Sequence, residues 1–231
     1  MRKGKYGLDA PAVIMGYLSS GILLLLIGHI YLSSDSWIFV LGGICLFISA
    51  YMIYSSKIGK YKMRERIIQR LSLTGDEISL DVGCGRGLML NGIASKLISG
   101  KAIGVDIWSA RDQSGNNYNA TMQNARLEGT EAKVEVINSD MRALPFADAY
   151  FNVIVSSLAI HNLKNNEERE KALLEIARVA KNGCKLAILD IAHTQFYQTI
   201  LEKHGFAIEY IDKHPIHIFP PCKVIYAKKI N

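Results

Sequence analysis

Ile78-Ser79-Leu80-Asp81-Val82-Gly83-Cys84-Gly85-Arg86-Gly87 decides the fold. An apolar run of strand composition ends in an acid, glycines follow at alternate positions, and a helical pattern starts at Leu88. Ligands of open α/β sheets bind outside the carboxyl ends of the strands. Glycines at that edge let the backbone lie close against a ligand. The spacing excludes two other assignments. A dinucleotide fingerprint needs glycine where Leu88 stands, and a phosphate loop needs a Gly-Lys-Ser/Thr ending that is absent.

Outward from this stretch, strand and helix patterns alternate. Strand-like runs are Ile78–Val82, Ala102–Ile107, Val134–Ile137, Phe151–Ser156, Leu186–Ile191, Ala207–Ile211 and Lys223–Ala227. Helical runs are Leu88–Ile98, Asn116–Leu127, Glu167–Val179 and Gln195–His204. The alternation predicts an α/β fold with a doubly wound, mostly parallel sheet of seven strands, covered on both faces. Only a short Pro-containing turn joins the last two strands, so the final strand is expected to run antiparallel.

With these elements in place, the chain resembles the class I, Rossmann-like S-adenosylmethionine-dependent methyltransferases. Their acid-x-Gly-x-Gly-x-Gly loop is matched by Asp81–Gly87, and the acid ending their next strand by Gly104-Val105-Asp106. The acid after the following strand is matched by Ser139-Asp140-Met141. Leu144-Pro145-Phe146-Ala147-Asp148-Ala149-Tyr150-Phe151 and Ala177-Arg178-Val179-Ala180-Lys181-Asn182-Gly183 resemble segments of the methyltransferase type 11 group. Departures are Asn152 for the usual Asp, and Asn182 and Cys184 in place of Pro and Gly. The resemblance runs from about Glu77 to the C-terminus.

It implies S-adenosylmethionine as cofactor and assigns its partners. Gly83, Gly85 and Gly87 let backbone lie along the methionine and ribose, and the following helix N-terminus favours the carboxylate. Asp81 suits the ammonium through water. Asp106 suits the ribose hydroxyls, and Ile107 one face of the adenine. Asp140, with the Met141 backbone beside it, suits the adenine amino group. Cys84 within the loop and Ser156 at the end of the fourth strand complete the expected cofactor-binding set. Any one such acid is as readily a strand-end or helix-cap residue; three in register point to a site.

Methyl transfer is an in-line displacement on a carbon that the cofactor already activates, so the protein chiefly aligns the partners and excludes water. Oxygen and nitrogen nucleophiles often need a base. His161, which follows the fourth strand, is the candidate, against the alternative of a structural histidine. The polar stretch Trp108–Tyr118 is either a cover over the cofactor or a solvated loop. His214-Pro215-Ile216-His217 has no clustered third ligand and reads as a turn. Cys45, Cys84, Cys184 and Cys222 lack zinc or disulfide spacing, so reduced thiols and no metal are expected.

Upstream, Ala10–Ser34 and Ser36–Ser56 carry no Asp, Glu, Lys or Arg. Each is long enough to cross a bilayer, which takes about 20 residues of helix. Residues 1–56 are therefore expected to be a two-helix transmembrane anchor, with spans of about 11–33 and 37–55 joined by Ser33-Ser34-Asp35-Ser36. Residues 57–72 are expected to be a basic amphipathic helix on the inner membrane surface, and 73–231 the methyltransferase domain. Of the formal net charge of +6, residues 71–231 contribute nothing, with eighteen basic and eighteen acidic side chains. The excess sits at Arg2, Lys3 and Lys5 and at six basic residues between Lys57 and Arg70. By the positive-inside rule both the N-terminus and the catalytic domain face the cytoplasm. The neutral domain, and the absence of an Asn/Asp-Pro-Pro-Tyr/Phe motif, argue against nucleic acid as partner. The expected partners are the lipid bilayer and a small-molecule or lipophilic acceptor. The competing assignment is a non-catalytic cofactor-binding membrane protein, a sensor or scaffold.

Overall fold

A computed structural model describes residues 4–31, 37–108, 116–213 and 217–230. They form two compact units. The connection 32–36, most of the polar stretch at 109–115, and His214, Pro215 and Ile216 lie outside the described residues.

The smaller unit is a helical hairpin, α1 (Pro11–Tyr31) and α2 (Trp37–Tyr54), with residues 217–220 folded onto it. Both helices are long and apolar enough to cross a membrane, by length and composition. They run antiparallel and nearly touch at paired glycines. A Cβ on Gly21 would lie 3.0 Å from the Gly42 carbonyl oxygen, and one on Gly42 would lie 3.2 Å from that of Gly21. Small residues let backbones approach in this way where only packing and hydrogen bonds join helices. The Ser49 hydroxyl donates to the Ile14 carbonyl at 3.3 Å. Ile22, Leu23, Leu26, Ile30, Val40, Ile44 and Phe47 point outward and are exposed. At the base, the Lys60 ammonium donates to the Gly7 carbonyl at 2.9 Å and pairs with Asp9 at 3.2 Å.

The larger unit holds the sheet. In chain order its elements are α3 (Lys60–Leu71, from Met63 onward), β1 (Ile78–Val82), α4 (Leu88–Ala94), β2 (Lys101–Asp106), α5 (Tyr118–Glu128), β3 (Val134–Asn138), β4 (Phe151–Ser157), α6 (Asn166–Val179), β5 (Ala180–Asp190), α7 (Thr194–Lys203), β6 (Phe206–Asp212) and β7 (Lys223–Lys229). The strand order is β3-β2-β1-β4-β5-β7-β6. All pairs are parallel except those of β7, which is antiparallel to both neighbours. The order reverses between β1 and β4, so the crevice expected of a doubly wound sheet opens where the glycine loop begins. Leu80, Val82, Ile154, Leu186 and Ile188 are buried in the core, as a sheet covered on both faces requires.

Three elements differ from the sequence expectation. β5 starts at Ala180 instead of Leu186, and Ala180 pairs with Phe151. α4 stops at Ala94 instead of Ile98. The Gly75 carbonyl accepts the amides of Ile98, Ser99 and Gly100 at 2.6, 3.1 and 3.0 Å, which turns the chain out of the helix. The basic helix α3 is amphipathic, but its apolar stripe of Met63, Ile67, Ile68 and Leu71 is buried inside the sheet unit instead of lying on a bilayer. Gly92 on α4 makes room for it, since a Cβ there would lie 2.6 Å from Ile68 Cδ1. A stripe at helical spacing fits protein and lipid equally well. Basic side chains of α3 are also engaged: Arg64 pairs with Glu128 at 2.9 Å, Arg66 with Asp212 at 2.9 Å, and Arg70 lies over the Tyr210 ring.

The type 11-like segments act together as scaffold. The Arg178 guanidinium donates to the Phe146 and Leu144 carbonyls and to Asp148, and so clamps the Leu144–Asp148 turn. Asn152, which stands where the group has Asp, accepts the Ile78 amide at 3.0 Å and ties β4 to the start of β1.

Candidate active site

The expected residues gather along the carboxyl ends of β1, β2 and β4 and beyond β3. The loop after β1 leaves the sheet with positive φ at Gly83, Gly85 and Gly87. Gly83 has no alternative. Its φ is +72°, and a Cβ would lie 2.3 Å from Ala159 Cβ. The Gly83 and Cys84 amides both donate to the Val105 carbonyl, at 2.9 and 3.0 Å. The loop is thereby fastened to β2.

Asp106 ends β2 and organises this region. Its Oδ2 accepts the Gly85 amide at 2.7 Å and its Oδ1 accepts the Trp108 amide at 2.5 Å. Across the loop, the Thr121 hydroxyl on α5 donates to the Gly85 carbonyl at 2.6 Å. Ile107 is exposed beside Asp106, with an apolar face open to a planar group.

Asp81 is buried, and its carboxylate accepts the Leu90 amide at 2.9 Å, so it also fixes the start of α4. Burial pushes its pKa up to about 7, against the Leu90 hydrogen bond and with help from the Asp106 charge. Asp140 is gripped by Arg142 through Nε at 3.0 Å and Nη2 at 2.5 Å, which holds its carboxyl below the usual range. The expectation that Asp140 faces an adenine amino group thus meets a carboxylate already engaged by a guanidinium. Met141 is half-buried, with its methyl 3.4 Å from where a Gly83 Cβ would stand.

Two expected residues turn inward. The Ser156 hydroxyl is buried and donates to the Val82 carbonyl at 2.9 Å, joining the ends of β1 and β4. The Cys84 side chain packs over β2, where a Cβ on Gly104 would meet its sulfur at 2.8 Å. Burial raises its thiol pKa well above the usual value, so it is held as an inert thiol. All four cysteines are free.

The fourth and fifth strands contribute a separate group. His161 sits in a turn after β4, a fifth exposed, with Nδ1 2.5 Å from Oδ1 of the buried Asp190 that ends β5. This approach lies outside hydrogen-bond geometry; Asp190 accepts the His161 amide at 3.1 Å, the Ile191 amide at 2.8 Å and the Tyr197 hydroxyl at 3.3 Å. Sequence reasoning missed Asp190. The signal was present, since it is an acid closing an apolar strand run, as Asp81 and Asp106 are. Trp108, Leu158 and His193 have φ of +47°, +55° and +59°. They follow β2, β4 and β5, and backbone strain of this kind collects at functional sites.

The arrangement fits an adenosyl cofactor. An acid that holds the loop backbone closes β2, an exposed apolar side chain stands next to it, and close-packed glycines line the edge. The Trp108 indole N–H is buried there without a partner among the described residues.

The fold is that of class I methyltransferases. Residues 80–188 match the family model described as a methyltransferase domain. The sterol 4-C-methyltransferase strm-1 of Caenorhabditis elegans is 29% identical over 63% of this chain and 40% of its own length. Methyltransferase GfsG of Streptomyces halstedii is 32% identical over 56% of this chain and 43% of its own. The chain thus spans under half the length of these curated relatives. A SAM-dependent methyltransferase from Aquifex aeolicus superposes with a TM-score of 0.59 at 22% identity, covering 72% of this chain and 89% of that one. S-adenosylmethionine is the cofactor of this domain.

Proposed function

We propose that the chain is a membrane-anchored methyltransferase that acts on a lipophilic small molecule. The observation that carries this reading is the contrast between a sheet unit built for the cofactor and a hairpin whose large apolar side chains face outward. Ile30 and Val40 are each 64% exposed and Phe47 70%. Water is a poor neighbour for such a surface, and lipid is a good one. Basic residues at both outer ends of the hairpin support a two-pass topology with the N-terminus and the catalytic domain in the cytoplasm. The strm-1 enzyme, named for a sterol, supports a lipophilic acceptor.

The cofactor supplies a methyl carbon made electrophilic by its sulfonium. The loop Gly83–Gly87, Asp106 and Ile107 hold it, with Asp81 and Met141 at the margins. His161 is the general base. With Nδ1 beside Asp190, Nε2 takes the proton from the acceptor's nucleophilic atom. Asp190, buried and oriented by Tyr197, keeps the ring in that tautomer and favours the imidazolium that forms.

Incubating the full-length protein with methyl-labelled S-adenosylmethionine and a membrane lipid extract tests the proposal. Label is expected in the lipid phase with the wild type and not with Asp106→Ala. Equal product from the two proteins would overturn the site. Cofactor binding without any transferred label would favour a non-catalytic binding protein.

A further inference from the structure

The residues just before the first apolar helix are built into the sheet unit. Gly4, Lys5 and Tyr6 lie on α4 and α5, and Tyr6 is 2% exposed. The Lys5 amide donates to Asn124 Oδ1 at 2.7 Å, and Asn124 Nδ2 donates back to the Lys5 carbonyl at 3.3 Å. The Tyr6 hydroxyl meets Asn91 Nδ2 at 3.1 Å, and the Gly4 amide donates to Glu128 at 3.1 Å. Glycine is required at position 4, because a Cβ would lie 2.7 Å from the Tyr6 ring.

The same asparagines hold the cofactor loop. Asn124 Nδ2 also donates to the Arg86 carbonyl at 3.0 Å. The Asn91 amide donates to the Gly87 carbonyl at 3.0 Å, and its side-chain nitrogen stands 3.0 Å from where a Gly87 Cβ would be. Asn91 Oδ1 in turn accepts the Thr130 hydroxyl at 2.7 Å. Asn91 and Asn124 are both fully buried or nearly so. A buried amide that loses one partner leaves the others strained or unsatisfied. Leader and loop therefore share the buried side-chain amide of Asn124, and Asn91 bonds the loop through its backbone N–H and the leader through its side chain.

We propose that Asn124 and Asn91 are positioning residues that couple the leader Gly4–Tyr6 to cofactor affinity. A docked leader holds the Arg86 and Gly87 carbonyls in the binding geometry, and a released leader lets them drift. By linkage, bound cofactor must stabilise the docked leader by the same factor. The inference rests on assigning the cofactor to Gly83–Gly87. Because the leader runs directly into the proposed membrane span, anchoring and cofactor binding would be joined through these residues.

Two readouts other than activity test it on the full-length protein, with S-adenosylhomocysteine as probe. Calorimetry is expected to give about tenfold weaker binding for Asn124→Ala, the order expected when one or two buried hydrogen bonds are lost. Tyr6→Phe, which keeps the ring packing, is expected to weaken binding about threefold. Trypsin cleavage after Lys5 is expected to slow when the probe is added to wild type, and to be indifferent to it in Asn124→Ala. Native affinity in both variants, or cleavage at Lys5 that ignores the probe in the wild type, would overturn the coupling. Native affinity in Asp106→Ala would instead overturn the cofactor assignment beneath it.

Discussion

The carboxyl edge of the sheet has two halves that work differently. On the β1–β2 side the contacts are mostly backbone: amides of Gly83, Cys84, Gly85 and Trp108 are held by the Val105 carbonyl and the Asp106 carboxylate. On the β4–β5 side a single imidazole lies beside a buried acid, and a tyrosine hydroxyl donates to that acid. A backbone cradle suits a ligand that is the same in every turnover. A mobile proton on one ring suits chemistry on an acceptor. The difference divides binding from turnover, and variants can test that division.

Asp106→Ala should have the largest effect. It removes the acceptor that orients both Gly85 and Trp108, and S-adenosylhomocysteine binding should weaken about 100-fold, the scale of losing several charge-assisted hydrogen bonds. Asp190→Asn should break the division from the other side. Calorimetry should show unchanged cofactor affinity while kcat falls at least about tenfold, as expected when a general base loses its orienting acid.

Asp81 gives a smaller, pH-dependent effect. Its folded pKa of about 7 lies above the unfolded value, so the folded chain holds a proton that the unfolded chain has released. Between about pH 4 and that folded pKa, this group's contribution to stability therefore falls as pH rises, and it levels off above it. The charged carboxylate favours a cationic ligand end, so affinity for S-adenosylhomocysteine should rise severalfold from about pH 6 to about pH 8. Asp81→Asn should flatten both trends. A slope that survives in the variant would assign it to another group. Ser156→Ala, the smallest effect, should cost about 1 kcal/mol in denaturant unfolding, the worth of one buried hydrogen bond, and leave cofactor affinity alone.

The same two halves explain what could be read from sequence. The cofactor half is local: strand, glycine loop and helix follow one another within Ile78–Ala94, and the acids close adjacent strands, so Asp81 and Asp106 were legible. Six of the strands were found to within a few residues, because β-branched runs bounded by turns survive burial unchanged; β5 begins six residues before the expected Leu186. The proposed base and its partner are far apart in the chain. His161 and Asp190 meet only because β4 and β5 pair in register, and no spacing rule predicts that. Ser156 and Cys84 were placed on the cofactor by position alone; the Ser156 side chain turns inward on β4, and the Cys84 side chain, in the loop after β1, packs over Gly104. The leader residues read as a charged flank because their contacts are with Asn91, Asn124 and Glu128, which no local pattern marks. Helix α3 shows the limit of periodicity. Its stripe at Met63, Ile67, Ile68 and Leu71 foretold a buried face but not whether lipid or protein covers it. In α1 and α2 many large apolar residues stay exposed, and the proposed membrane anchor rests on that.

The division between the halves is tested most directly on one preparation of His161→Ala, by measuring S-adenosylhomocysteine affinity and methyl transfer together. The account predicts wild-type affinity and turnover reduced at least about 100-fold, the range for losing a general base. Wild-type turnover, or affinity that falls along with it, would contradict the account.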